Sequence, residues 1–142
     1  IQCFEHGHDL PLPTHATAGS AGVDLYAAIA SSIDLPSFER MLIPTGIAIA
    51  IPKGFEGQIR PRSGLALKHG LTVLNTPGTI DADYRGEIHV LLVNLSPVAF
   101  TLERGMRVAQ LVIAPCHTIQ WNKVHELQES LRKDDGFGST GY

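Results

Sequence analysis

The sequence predicts an all-β sandwich or barrel. Two observations carry that prediction. Apolar and β-branched residues recur with a period of two, and turn signals return roughly every ten residues, with one short helical segment breaking the pattern. In chain order, Ala21–Ala27 and Ser31–Leu35 are weak strands. Ile47, Ile49 and Ile51 share one face with the small Ala48 and Ala50 opposite, so a strand is expected there. Gly57–Pro61 is a further weak strand. Ser63–Gly70 opens on a good N-cap residue, continues with helix formers and stops at glycine, which predicts one or two helical turns. Glu87–Leu95 and Met106–Ala114 are the strongest strands, dense in apolar and β-branched residues. Pro36-Ser37, Pro44-Thr45-Gly46, Pro52-Lys53-Gly54, Pro77-Gly78 and Ser96-Pro97 punctuate them.

The last stretch reads differently. Val124, Leu127 and Leu131 have helix spacing, after which the chain turns charged and then glycine-rich. The expectation is one domain over residues 1–122, followed by an arm over residues 123–142. Trp121 is expected to anchor the arm by packing, and Cys116 to be a small buried apolar residue.

Composition narrows the class. A chain of 142 residues with 44% hydrophobic content can bury a core without disulfides or metals. A net charge of −3 excludes the basic excess that broad nucleic-acid or membrane-surface binding needs. The longest stretches without a formal charge, Ile88–Leu102 and Val108–Asn122, fall short of the roughly 18 apolar residues of a spanning helix. Cys3 and Cys116 read as reduced thiols of a cytosol-like compartment, so a cytoplasmic location is expected. The first residue is Ile1, not Met, and no targeting segment is read from it.

Three segments could carry chemistry. Arg62-Ser63-Gly64 follows a strand and opens the helix, and a guanidinium, a hydroxyl and free N–H groups make an anion site. By themselves these residues fit an ordinary serine cap beside a surface arginine better. Ile80-Asp-Ala-Asp-Tyr-Arg-Gly86 offers two carboxylates, Asp81 and Asp83, but not a calcium loop, because Arg85 holds the fifth position and Leu92 the twelfth. Two readings remain: a hairpin with aspartate as turn former, or a general base aimed into a pocket. The aromatic Tyr84, which a turn does not need, favours the second. Gly136-Phe-Gly-Ser-Thr-Gly141 matches the dinucleotide pattern without the strand before or helix after it. It is either an unstructured terminus or a lid that wraps phosphate and stacks Phe137 on a ring. The seven histidines show no metal-ligand spacing.

Taken together and in order, five segments resemble the trimeric dUTPase family over nearly the whole chain. They are Ala21-Gly-Val-Asp-Leu-Tyr-Ala27, Arg62-Ser-Gly-Leu-Ala66, Gly78-Thr-Ile-Asp-Ala-Asp-Tyr-Arg-Gly86, Arg107-Val-Ala-Gln-Leu111, and Arg132 with Gly136–Gly141. The resemblance implies a jelly-roll-like β-barrel with one short helix and an extended C-terminal arm. It also implies a homotrimer with sites shared between subunits, and hydrolysis of dUTP to dUMP and pyrophosphate. That activity keeps uracil out of DNA and supplies dUMP for thymidylate synthesis. Mg²⁺ would ride on the triphosphate, held by phosphates and waters. By the same resemblance Asp81 is the base that activates water for attack at the α-phosphorus. Asn75 and the backbone of Gly78, Thr79 and Ile80 read uracil, and Tyr84 lies against the deoxyribose. Arg62, Ser63, Gly64 and Gln110 hold phosphates. Arg132, Phe137, Gly138 and Ser139 close over the substrate, and Asp24 supports the site. His89 either lines the uracil pocket or lies on the outer face of its strand. Lys133, Asp134 and Asp135 depart from the small residues that follow the tail arginine in the family, and their carboxylates would repel a triphosphate unless turned outward. The alternatives are a dCTP deaminase of the same fold and a non-enzymatic jelly-roll binding module. The Ile80-Asp81 and Tyr84 pattern disfavours the first, and the complete set of site positions disfavours the second.

Overall fold

The computed structural model describes residues 1–131 and 133–134. Eleven strands and one α-helix are assigned among them: β1 (Gln2–Cys3), β2 (Val23–Tyr26), β3 (Ile33–Leu35), β4 (Arg40–Pro44), β5 (Ile47–Ala48), β6 (Phe55–Arg60), α1 (Ser63–His69), β7 (Leu71–Val73), β8 (Gly78–Ile80), β9 (His89–Asn94), β10 (Phe100–Leu102) and β11 (Arg107–Pro115). The all-β class expected from the sequence holds, with a jelly-roll-like arrangement of short antiparallel ladders. Four strands pair in the order β2-β11-β6-β8, three as β4-β9-β7, and two small ladders join β1 to β5 and β10 to β3.

The period-two pattern explains the core. Leu25, Leu35, Ile43, Leu71, Ile88, Leu92 and Leu102 are fully buried and belong to one continuous apolar cluster. A polar residue, Asn94, is buried with them at the end of β9. Its amide donates to the carbonyls of Leu35 (3.1 Å) and Val98 (2.8 Å), and its Oδ1 accepts the Ser96 N–H at 2.9 Å. Every polar atom of that side chain is thus satisfied, which is the condition for burying it.

Several expectations change. Only Ile47–Ala48 of the isoleucine run is a strand, because its ladder partner β1 is itself two residues long. Ile47 and Ile51 are buried, whereas Ile49 is half-buried in an apolar groove. The turn after Ile80 is not a hairpin. β8 pairs with β6 and β9 pairs with β4 and β7, so residues 81–88 bridge two sheets. Strands β1, β7, β8 and β10 carry only two or three residues, too few for their periodicity to stand out, and the five-residue β4 was also not read from the sequence. The helix starts one residue away from the expected place: Arg62 is the N-cap, without a side-chain cap bond, and Ser63 is the first helical residue. Its stop is as expected, with Gly70 in the left-handed region at φ 67° and its N–H donating to Ala66 O.

After Pro115 the chain leaves the sheet. The Cys116 N–H still donates to Gly54 O at 2.9 Å, but the Cys116 residue is exposed, not buried. Residues 116–131 form neither helix nor strand, so the expected helical stripe is absent. Trp121 is 89% exposed, so the described residues do not show the anchoring expected of it. Val124, Leu127 and Leu131 are exposed among the described residues, and tertiary packing is what stabilises most amphipathic helices. No described helix is long and apolar enough to cross a membrane.

Candidate active site

Two clefts gather the predicted residues. The first, about 350 Å³, is lined by Asp24, Arg62, Ser63, Gly64, Arg107 and Gln110 together with the loop over residues 14–22. Sheet order explains the convergence. β11 lies between β2 and β6, and Gln110 stands opposite Asp24 on one side and Arg60 on the other. Arg62 and the helix start follow β6 directly.

A β-bulge completes the set. Along β11, Arg107 pairs with Tyr26 but Ala109 already pairs with Leu25, so Val108 is an extra residue. Val108 and Ala109 are consecutive and both fully buried. In a regular strand, residues three apart face opposite sides. The bulge cancels that offset, and Arg107 and Gln110 reach the same cleft.

Asp24 organises the charges. Its Oδ1 is 2.9 Å from Arg62 Nε and its Oδ2 is 3.0 Å from Arg107 Nη1. Arg62 Nη1 also donates to the Arg107 carbonyl at 3.2 Å. Gln110 Nε2 donates to Pro61 O at 3.0 Å. Both guanidiniums are held by one half-buried carboxylate, with donors left over for an anion. Ser63 and Gly64 are exposed at the rim, and a Cβ on Gly64 would meet nothing within 4 Å. Packing within the chain does not require glycine there, whereas close approach of a ligand to the backbone would. The sequence singled out Asp24, Arg62, Ser63, Gly64 and Gln110. It placed Arg107 in a motif without a role, because an isolated strand arginine says nothing about its partner.

The second cleft, about 320 Å³, is lined by Leu42, Ile59, Asn75, Gly78, Thr79, Ile80, Asp81, Tyr84, Glu87 and His89. Gly78 and Ile80 are buried on β8, while Asn75, Thr79, Asp81 and Tyr84 are exposed. His89, from β9, is among the residues that line this cleft. The Tyr84 ring folds back over Gly86, where a Cβ would collide with it, and its hydroxyl donates to Glu87 O at 2.9 Å. His89 Nδ1 lies 3.1 Å from the same carbonyl. The two clefts share no lining residue. One chain therefore brings together the phosphate-type residues and, separately, Asp81 with the Asn75 to His89 group. Arg132, Phe137, Gly138 and Ser139 lie outside the described residues.

Glu87 was missed by the sequence reading. Burial works to raise its carboxyl pKa, but hydrogen bonds from His6 and the Gly46 N–H, with the attraction of the His6 and His89 imidazoles, outweigh it and hold the group below its ordinary range. Its partners lie 81 and 41 residues away in sequence, a separation no local pattern reveals.

Comparison with known proteins follows the same lines. A model of the dUTPase family matches residues 8–141. The deoxyuridine 5'-triphosphate nucleotidohydrolase of Wolbachia pipientis subsp. Culex pipiens (strain wPip) is 58% identical, over 99% of this chain and 94% of its own length. That of Rickettsia felis is 58% identical, over 92% of this chain and 88% of its own. Among solved structures, a mutant Staphylococcus bacteriophage 80alpha dUTPase with dUpNHpp matches with a TM-score of 0.88 at 27% identity, covering 99% of this chain and 98% of the phage chain. A mutant dUTPase from phage phi11 of S. aureus, described for its coordination of a structural Mg(II) ion, matches with a TM-score of 0.79 at 25% identity, over 90% of this chain and 98% of its own.

Proposed function

The chain belongs to the dUTPase family, and from that membership we infer that it hydrolyses dUTP to dUMP and pyrophosphate. One observation on this chain carries the reading furthest: an arginine-rich cleft suited to phosphates and a separate cleft without arginine or lysine in its lining that holds the exposed carboxylate of Asp81. In the first, Arg62, Ser63, Gly64 and Gln110 hold the phosphates, Arg107 adds a second guanidinium, and Asp24 keeps both arginines in place. In the second, Asn75 and the backbone of Gly78, Thr79 and Ile80 take the uracil edge, with His89 at the rim. Asp81 accepts a proton from the water that attacks the α-phosphorus, and pyrophosphate leaves. Arg132, Phe137, Gly138 and Ser139 close over the bound nucleotide.

Two clefts without a shared residue support an active site completed between copies, and we propose a homotrimer with shared sites. The donor set fits Mg²⁺ that arrives on the triphosphate. The phosphate cleft is lined by cationic and neutral groups, and its one carboxylate, Asp24, already holds two guanidiniums. When bound, the ion neutralises phosphate charge and orients the chain of phosphates. We place the protein in the cytoplasm, in keeping with the free thiols of Cys3 and Cys116.

The test is direct. Pyrophosphate released from dUTP and Mg²⁺ by the purified protein supports the reading, and ammonia released from dCTP in its place would make the chain a deaminase of the same fold.

Tyr84 sets discrimination against ribose in this reading. Its ring is held against Gly86, so a 2′-hydroxyl meets a surface that cannot retreat. Tyr84→Ala should lower the ratio of kcat/KM for dUTP over UTP by on the order of 10². Tyr84→Phe should change it little, because the ring and not the hydroxyl does the excluding and the ring stays packed on Gly86. An unchanged ratio in the alanine variant would remove Tyr84 from the sugar site.

A further inference from the structure

Residue 87 stands at a junction that the reaction itself does not explain. It lies in the irregular chain before β9, where no ladder holds it. Its side chain is 16% exposed, and the carboxylate reaches two distant segments. Oε1 is 2.8 Å from His6 Nε2 and accepts the Gly46 N–H at 2.7 Å. Oε2 is 3.8 Å from His89 Nε2. Its carbonyl meanwhile accepts the Tyr84 hydroxyl and faces His89 Nδ1. One residue thus ties two side chains of the second cleft to the N-terminal turn, Glu5–Gly7.

That turn is itself firmly docked. The Phe4 N–H donates to Gly46 O at 2.8 Å, and Gly7 is buried so closely on Gly46 that a Cβ on either would collide with the other. Arg104 Nη2 donates to the His6 carbonyl at 2.7 Å, while its other nitrogens hold Ile29 O and Asp9. The anchor is therefore rigid, and what Glu87 transmits from it is position.

We propose that Glu87 is a positioning residue for the nucleoside cleft, fixing Tyr84 and His89 by clamping the chain at residue 87 to the N-terminal turn through His6 and Gly46. The proposal rests on the reading of that cleft as the nucleoside half of the site. It concerns only that half, because Glu87 and His89 line the second cleft and the two clefts share no lining residue.

Calorimetric titration of the full chain with dUMP, with dUpNHpp and with pyrophosphate separates the outcomes. Glu87→Ala should weaken dUMP and dUpNHpp by the same factor, about tenfold, and leave pyrophosphate unchanged. With dUTP as substrate KM should rise about as much, while kcat moves less than about threefold. Glu87→Gln keeps an acceptor for Gly46 and His6 and should recover most of the loss. His6→Ala should weaken dUMP by about threefold, and the double variant H6A/E87A should be no weaker than E87A, because the two residues act through one contact. Equal weakening of dUMP and pyrophosphate would show a general structural role and overturn the proposal, as would unchanged dUMP affinity in folded Glu87→Ala. If Glu87→Ala does not fold, unchanged dUMP affinity in His6→Ala is sufficient to overturn it. A wild-type protein that releases no pyrophosphate from dUTP would instead overturn the dUTPase reading on which the cleft assignment stands.

Discussion

Asp81→Asn should leave a folded protein that binds dUpNHpp as before and hydrolyses dUTP about 10²–10⁴ times more slowly. Asp81 sits in the turn that follows β8, exposed, in the lining of the second cleft. No salt bridge or side-chain hydrogen bond engages its carboxylate among the described residues, so the amide leaves no partner stranded and the fold keeps its stability. The local backbone is held by the Tyr84 N–H, which donates to Asp81 O at 3.1 Å and is indifferent to the side chain. What the substitution removes is the ability to accept a proton from water. Turnover is measured as pyrophosphate release at saturating dUTP, affinity by titration with dUpNHpp. Turnover within a few-fold of wild type would mean that another group serves as base, whereas loss of analogue binding would make Asp81 a binding residue first.

Asp24→Ala should be the most damaging change on the phosphate side, lowering kcat/KM for dUTP by roughly 10². Asp24 is one carboxylate between two guanidiniums, and it alone holds both Arg62 and Arg107 by ion pairs among the described residues. Without it two like charges face each other across the cleft, and each arginine recovers rotamer freedom worth up to about 2 kcal/mol that substrate must then remove. Asp24→Asn retains one acceptor oxygen, so its loss should be smaller, about tenfold. The dUMP affinity of the separate nucleoside cleft should stay nearly constant in both. Normal kcat/KM in Asp24→Ala would show that the arginines are ordered by something else, or that phosphates are held elsewhere.

The strong strands and the sites of chemistry were legible for different reasons. β9 and β11 announce themselves because many residues repeat one alternation. The two- and three-residue strands do not, since two positions cannot establish a period. The second cleft was read from Asp81 and Tyr84 within one short segment, but its turn was mistaken for a hairpin, because which sheet a strand joins is decided by partners elsewhere. Arg107 and Glu87 escaped for the same reason: their roles lie in contacts across the fold. The helical pattern after residue 123 misled because spacing records a possible face without recording whether anything covers it.

The bulge at Val108 means that β11 stores part of its chemistry as a count of residues. Were β11 to pair regularly with every residue kept, alternation would turn Arg107 away from Gln110 to the face on which Ala109 is buried. Deleting Val108 instead leaves Arg107 two places from Gln110, still on the cleft face, and removes a buried side chain from the core. Exchange Val108 for another residue of similar volume and the count survives. Straightening the strand and shortening it therefore have very unequal consequences, and a segment that looks among the most regular in the sequence takes the position of one charge from an irregularity.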